Sequence, residues 1–127
     1  MATTALFDSS ALILYFNDAV STESLSLIKQ AIEEGPAALS VITRAEVLAW
    51  PSHTRASIEA ALAGMVSFEQ LGVDAATADE AARIRRAHNI KLPDALIAAT
   101  ATLRGLPVVT ANFSDFERVD GLKVIRF

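Results

Sequence analysis

The stretch LPDALIAATATLRGLPVVT, residues 92–110, contains a complete helix followed by a strand. Pro93 suits the first turn of a helix that runs to Leu103, because its φ angle is fixed and no N–H is needed there. Gly105 is typical of the residue that ends a helix. Residues 107–110 form a short apolar run, which indicates a buried strand. A helix followed by a short buried strand is the repeating pattern on which the fold prediction for the whole chain rests.

Short apolar strands alternate with helical segments along the rest of the sequence. The other predicted strands are 3–7, 37–41, 66–71 and 122–125, and the other predicted helices are 25–32, 43–50, 58–65 and 75–87. This alternation predicts an α/β fold with a parallel sheet covered by helices on both faces, and 122–125 as an edge strand. Right-handed crossovers bring the carboxyl end of every strand to one edge of the sheet, where such folds bind ligands.

The composition limits the class of protein. The chain has 127 residues, enough for one domain, and a mean hydropathy of +0.36. No apolar run approaches the roughly 18 residues of a membrane span, and the N-terminus lacks the basic region of a signal peptide. The absence of cysteine excludes disulfides and thiolate metal sites. We therefore expect a single-domain cytoplasmic protein.

Charge is distributed unevenly along the chain. The net charge is −4, but residues 1–82 contain three basic and eleven acidic groups, whereas residues 83–127 contain eight basic and four acidic groups. Within the basic part lies the cluster Arg83, Arg85, Arg86, His88 and Lys91. This cluster is either a solvated helix face or a surface for a polyanion. Bound metal would offset some of the acids, so the net charge does not exclude nucleic acid.

Several polar side chains are predicted to lie at the ligand-binding edge of the sheet. Asp8 ends the first strand, and Glu46 lies in the first turn of the helix after the second strand. Asp94 lies in the first turn of the helix quoted above, and Asn112 and Asp115 follow the strand that comes after it. These residues are far apart in sequence. The parallel sheet is expected to bring them together.

Each of these residues also has a structural explanation. Asp8 could cap a helix, and Asp94 would interact favourably with a helix macrodipole. Thr43 and Glu46 have the spacing of a capping box. Asn112 and Asp115 could stabilise a turn through their own backbone. None of these explanations accounts for all the acids sharing one edge.

A divalent metal ion does account for it. Mg²⁺ and Mn²⁺ prefer oxygen ligands, and several carboxylates close together repel one another unless a cation or a proton intervenes. Such an ion lowers the pKa of a bound water and stabilises the charge that develops during phosphate ester hydrolysis. The two histidines, His53 and His88, lie in polar sequence surroundings away from the acids, which disfavours a ribonuclease that uses paired histidines.

Four sequence blocks, in this order, resemble those of PIN domains. They are DSSALI at 8–13, SVITRAEVL at 40–48, LPDALIAATA at 92–101 and VVTANFSDF at 108–116. They are most similar to the VapC-like toxins of bacterial toxin–antitoxin pairs. The resemblance covers essentially the whole chain. It implies a three-layer α/β/α sandwich around a parallel sheet and an Mg²⁺- or Mn²⁺-dependent endoribonuclease that uses an activated water and leaves 5′-phosphate ends.

The resemblance also implies a role for each site residue. Asp8 and Asp94 match the principal metal ligands of the family, and Glu46 matches its second-block acid. Asp115 and Asn112 match the last block, in which the acidic position varies. Glu46 and Asp115 would position or deprotonate the water, or hold a second ion. The supporting hydroxyl groups are those of Ser10, Thr43 and Thr110.

Other features concern substrate and partners. Arg44 could contact RNA, although a surface ion pair explains it as well. Ser9 stands where the family usually has threonine, and Asn112 binds metal less strongly than a carboxylate. The resemblance implies that apolar surfaces of helices 22–34 and 43–65 form a homodimer and accept an antitoxin peptide, although packing in the core explains most of these residues equally well. Trp50 suits core or interface packing, or stacking on a base.

Two other functions are compatible with parts of the sequence. A PIN-like module that binds RNA or a protein without cleaving is disfavoured by the intact acidic set. A phosphoacceptor receiver domain would need an acidic pair after the first strand, an aspartate ending the third and a late lysine in a loop. Here Asp8 stands alone before Ser9, and Lys123 lies within the last predicted strand.

Overall fold

The computed structural model describes residues 3–16, 26, 30 and 34–126, and within them a five-stranded sheet forms the central layer. Its strands are β1 (Leu6–Phe7), β2 (Ala38–Ser40), β3 (Glu69–Leu71), β4 (Val108–Thr110) and β5 (Val124–Arg126). The order is β3-β2-β1-β4-β5, and every neighbouring pair is parallel. The predicted parallel sheet with a final edge strand is confirmed. A receiver domain has the order 2-1-3-4-5, so the strand order excludes that alternative.

Helices cover both faces of the sheet. Those described are α1 (Ser9–Phe16), α2 (Val41–Leu48), α3 (Arg55–Met65), α4 (Ala75–His88), α5 (Leu92–Arg104) and α6 (Phe113–Phe116). The apolar positions of the helix predicted over residues 25–32 lie outside the described residues. In the described ranges, no helix has the length and hydropathy needed to traverse a lipid bilayer.

Consecutive strand residues point to opposite faces and so form two separate cores. Leu6 lies in a cluster between the sheet and helices α4 and α5, whereas Phe7 lies in a cluster with α1, α2 and α3. The first cluster includes Ala38, Val108, Ala81, Ile84 and Ile97. The second includes Leu39, Val109, Leu12, Val47 and Met65. The predicted three-layer α/β/α architecture is therefore confirmed.

A tight turn joins α4 to α5 and sets the position where α5 begins. Asn89 ends α4 in the left-handed region, with φ 49°, and its N–H donates to the carbonyl of Arg85 at 3.2 Å. The guanidinium of Arg85 donates to the carbonyl of Ile90 at 2.6 Å, which holds the turn closed. Pro93 lies in the first turn of α5, and Gly105 follows its end with φ 67°, both as predicted.

The start of α2 differs from the prediction. The helix begins at Val41, with Ser40 as its N-cap accepting from the N–H of Ile42 at 3.0 Å. The predicted capping box between Thr43 and Glu46 is therefore wrong, and Glu46 lies in the second helical turn rather than the first. Serine and threonine are both favourable N-cap residues, and Ser40 is the last residue of β2. The helix can therefore begin directly after the strand, with its first free N–H groups capped by Ser40.

Replacing Phe7 by leucine tests the core that joins the sheet to α1, α2 and α3. Phe7 is fully buried, and its ring meets that of Phe68 edge-on at a centroid distance of 5.3 Å. Loss of the aromatic contact and of packing volume is expected to lower the free energy of unfolding by about 1–2 kcal/mol in urea denaturation. Val66→Ala is the control, because Val66 is 81% exposed. Equal stability of the two variants would contradict this packing.

Candidate metal centre

The acidic residues lie at the carboxyl edge of the sheet, as the parallel topology predicts. Asp8 directly follows β1, and its N–H donates to the carbonyl of Val109 in the neighbouring strand β4 at 3.1 Å. Thr110 ends β4. Asp94 lies in the first turn of α5, and Asp115 lies in α6, the short helix that follows β4.

The carboxylate of Asp8 is held by donors from two chain segments. The Ser10 hydroxyl lies 2.8 and 2.9 Å from its two oxygens, and the N–H of Ala11 donates to Oδ1 at 2.9 Å. The Thr110 hydroxyl donates to Oδ2 at 2.5 Å. Asp8 is only 3% exposed, and this burial raises its pKa although the hydrogen bonds partly counteract the rise. Asp8 thus caps α1 and presents a fixed carboxylate at once.

Asp94 is influenced by the charges of the other three acids at this edge. Its pKa is raised to about 6, first by burial and then by the negative charges of the other three acids. These are Glu46, Asp8 and Asp115. Lys91, at the N-cap of α5, partly counteracts them. The structure therefore places the other three carboxylates selected from the sequence within electrostatic reach of Asp94, and their role as metal ligands stays a prediction.

Glu46 reaches the site from the exposed side of α2. Burial of part of its carboxyl group raises its pKa, and the charge of Asp8 raises it further. A hydrogen bond from the Ser9 side chain lowers it. Ser9 was noted from the sequence only as a departure from threonine, but in the structure its side chain hydrogen-bonds to Glu46. Its position directly after Asp8 is the feature of the sequence that could have identified it as a site residue.

Asp115 is held by two donors within its own segment. The Asn112 side-chain amide donates to Oδ2 at 2.7 Å, and Nη2 of Arg118 lies 3.0 Å from Oδ1. The N–H of Asn112 in turn donates to the Thr110 hydroxyl at 2.8 Å. Asn112 thus supports both Asp115 and the hydroxyl that binds Asp8. Arg118 was not predicted from the sequence as a site residue, although its spacing of three residues from Asp115 is visible there.

Two other residues selected from the sequence have different surroundings. Thr43 is fully buried in α2, and among the described residues its hydroxyl has no hydrogen-bond partner. Arg44 donates from Nη1 to the side-chain oxygen of Gln70 at 3.3 Å, so it contacts strand β3 rather than an acid of the site. Contact between Arg44 and RNA stays a prediction.

The donor set suits a hard divalent cation. Carboxylates, hydroxyls and an amide meet at this edge, and all of them offer oxygen, the ligand atom that Mg²⁺ and Mn²⁺ prefer. Within the described ranges, no three acidic or histidine side chains are already arranged at the spacing of a metal site. The repulsion from the other acids, which adds to the effect of burial on the pKa of Asp94, would be relieved by a cation, which would draw the carboxylates together.

An apolar cavity of about 240 Å³ lies between α1, α2 and α3. Ile13, Phe16, Val47, Trp50 and His53 contribute to its lining. Trp50 is 50% exposed, and its ring meets that of His53 edge-on at 5.6 Å. The His53 ring nitrogens lie 2.7 Å from the Val47 carbonyl and 2.8 Å from the Ser57 hydroxyl. His53 is therefore part of this packing rather than of a polar surface.

Comparison with known proteins assigns the family. Residues 5–122 match the PIN domain. A toxin–antitoxin complex from Klebsiella pneumoniae contains a chain with 31% identity and a TM-score of 0.75, covering 96% of both chains. DNA-bound VapBC from Salmonella typhimurium shows 25% identity and a TM-score of 0.80, covering 98% of both. VapBC-5 from Mycobacterium tuberculosis shows 28% identity and a TM-score of 0.66, covering 99% of this chain and 100% of that one.

The chain belongs to the PIN domain family, because the match spans most of its length. Its VapC-like character, identified from the four sequence blocks, is confirmed by VapBC complexes that share its fold over nearly the whole chain. Comparison with curated proteins gives no match.

Removing the charge of Asp94 should stabilise the metal-free protein at neutral pH. With a pKa raised from 3.8 to about 6, the folded protein holds a proton that the unfolded chain has released between these values. Stability therefore falls as pH rises through this range. Asp94→Asn is expected to raise the free energy of unfolding in chelator by roughly 1–2 kcal/mol at neutral pH. It should have little effect below the ordinary carboxyl pKa.

Mn²⁺ should reverse this difference at neutral pH. It is expected to raise the melting temperature of the parent protein and to have little effect on Asp94→Asn, which lacks a ligand. Asp79→Asn is the matched control, because Asp79 is exposed on α4. If Asp94→Asn responded to Mn²⁺ as strongly as Asp79→Asn, Asp94 would not be a ligand.

Proposed function

We propose that this protein is the toxin of a type II toxin–antitoxin pair, a Mg²⁺- or Mn²⁺-dependent endoribonuclease. The observation that supports this best is the convergence of Asp8, Glu46, Asp94 and Asp115 on one sheet edge, where burial, and then the charges of the other three acids, raise the pKa of Asp94 to about 6. These four residues form the acid set, and repulsion between carboxylates that are partly withdrawn from water is costly to stability without a cation. A catalytic metal ion explains why four acids lie at one edge despite this cost.

Asp8 and Asp94 would hold the ion, with Glu46 and Asp115 at its periphery. A bound divalent cation supplies an activated water and stabilisation of charge on the phosphoryl oxygens. Ser10 and Thr110 keep the carboxylate of Asp8 in one orientation through the bonds described above. Glu46 is exposed and has a raised pKa, so it is suited to accept a proton from the attacking water.

Asp8→Asn should abolish cleavage while leaving the fold intact. The substitution keeps the size of the side chain but removes a charged ligand, and loss of several kcal/mol of transition-state stabilisation corresponds to at least about 100-fold in rate. The measurement is cleavage of single-stranded RNA in Mn²⁺, with circular dichroism as the check on folding. Asp79→Asn should cleave like the parent. An Asp8→Asn protein as active as the parent would exclude the proposal.

The same assay tests the alternative of a catalytically silent module. Such a module would bind RNA with the same affinity in the parent and in Asp8→Asn, and neither protein would cleave it. Metal-dependent product formation by the parent alone supports the nuclease.

We also propose that an antitoxin protein binds the apolar cavity beside Trp50. The solved structures similar to this chain include toxin–antitoxin complexes, one of them 31% identical. The cavity is lined mostly by apolar side chains, and Trp50 lies half exposed at it. Amphipathic segments recognise apolar surfaces of this kind. The homodimer expected from the sequence stays a prediction.

Trp50→Ala should weaken this complex. A half-exposed tryptophan at an apolar cavity is typical of an interface hot spot, so its truncation is expected to lower affinity by at least about 30-fold. The probe is the product of any short gene that overlaps the start of this one, coexpressed and titrated by calorimetry. Val66→Ala, at an exposed position outside the cavity lining, is the control. Equal affinities of the two variants would place the partner elsewhere.

A further inference from the structure

Arg118 contacts Asp115 of the acid set, and most of its N–H donors are not used in that contact. Its Nη2 is 3.0 Å from Oδ1 of Asp115, and its side chain is 49% exposed. A guanidinium carries five N–H donors, and within the part of the chain that the structure describes only this one contact to a side chain is found. Most of its hydrogen-bonding capacity therefore faces solvent next to the proposed metal centre.

The backbone at Arg118 is fixed by its neighbours. Phe116 and Val119 are both buried, and the N–H of Val119 donates to the carbonyl of Phe116 at 3.1 Å. The N–H of Glu117 donates to the carbonyl of Phe113 at 2.9 Å. Arg118 therefore projects from a turn anchored on both sides in the core. A long cationic side chain on a fixed base is what a substrate-contacting residue needs.

No other described cation has this position. Arg83 pairs with Glu80, and Arg55 pairs with Glu59, both on the outer surface of helices. Among residues 3–16, 26, 30 and 34–126, Arg118 is the basic residue that forms an ion pair with one of the four acids. Lys91 acts on Asp94 through its charge but forms no ion pair with it in the same ranges.

Stability does not explain the pair between Asp115 and Arg118. Exposed ion pairs at this spacing contribute little, because water and salt screen them and both side chains lose freedom. Asp115 already receives a hydrogen bond from Asn112 on its other oxygen. A guanidinium in contact with a ligand carboxylate also competes with a metal ion for that carboxylate. The ion pair between Asp115 and Arg118 is therefore better explained by a role of Arg118 in the reaction than by a contribution to stability.

We propose that Arg118 is a catalytic residue whose guanidinium contacts the scissile phosphodiester, and that Asp115 holds it in place until the substrate binds. This inference rests on the proposed ribonuclease function. The planar guanidinium matches two phosphoryl oxygens, and it becomes more valuable as negative charge builds up on them during hydrolysis. Phosphate oxygens replace Asp115 as its acceptors, and Oδ1 of Asp115 is released towards the rest of the acid set.

The experiment compares Arg118→Ala and Arg118→Lys with Arg83→Ala. Arg83 is a matched control, because it also pairs with an acid three residues earlier on an exposed helical turn, and this pairing with Glu80, outside the acid set, favours the solvated helix face over the polyanion surface. Arg118→Ala is expected to lower kcat for single-stranded RNA in Mn²⁺ by about 100-fold, the loss typical of one transition-state donor. Arg118→Lys should be intermediate, since it keeps the charge and loses the fork. Arg83→Ala should match the parent.

A second measurement separates substrate contact from a structural role. In Mn²⁺ titrations without RNA, followed by melting temperature, Arg118→Ala should bind the ion as tightly as the parent or more tightly, because Asp115 loses a competing cation. Mn²⁺ binding weakened in proportion to cleavage would show that Arg118 acts only through Asp115, and would overturn the inference. So would cleavage by Arg118→Ala equal to that by Arg83→Ala.

Failure of the proposed function has a different signature. In that case the parent itself does not cleave RNA in Mn²⁺, and affinity for a labelled single-stranded RNA then decides the role of Arg118 as a phosphate contact. Weaker binding by Arg118→Ala than by Arg83→Ala supports the contact, and equal binding overturns it.

Discussion

The buried carboxylate of Asp8 is the constraint on which the rest of the structure depends. A carboxylate only 3% exposed is tolerated because Ser10, Ala11 and Thr110 all donate to it. Two of these donors come from the start of α1, and the third comes from the end of β4, which is the parallel neighbour of β1. The hydrogen-bond register between β1 and β4 therefore decides whether the charge is satisfied. In this fold, the pairing of β1 with β4 also fixes the geometry around Asp8.

Bringing further acids to the same edge works against stability. Each added carboxylate makes the others harder to ionise, and the raised pKa of Asp94 records the sum of burial and repulsion. The protein limits this cost with local donors, from Ser9 to Glu46 and from Asn112 and Arg118 to Asp115. These donors hold each acid at the periphery in a defined orientation. The resulting edge combines repulsion between the acids with fixed side-chain orientations, as the proposed metal site requires.

Much of the fold and of the site could be predicted from the sequence, and the errors in the prediction have physical causes. Apolar runs and helix ends gave the parallel sheet, the turn at Gly105 and the edge position of Asp8 and Asp94, because these features depend on local chemistry and on topology rules. The start of α2 was misplaced because Ser40 and Thr43 are equally good caps, and only the end of β2 chooses between them. Arg118 and Ser9 were missed because their importance depends on which carboxylate lies beside them, and that is a property of the folded chain.

The contact between Thr110 and Asp8 also determines how late in synthesis the site around Asp8 can form. The two residues are 102 positions apart, and contacts of this kind form late, because a long loop must close first. Asp94 and Asp115 likewise belong to the last third of the chain. A nascent polypeptide therefore carries Asp8 and Glu46 for most of translation without a site. The site on which the proposed nuclease function rests is complete only when β4 has joined the sheet.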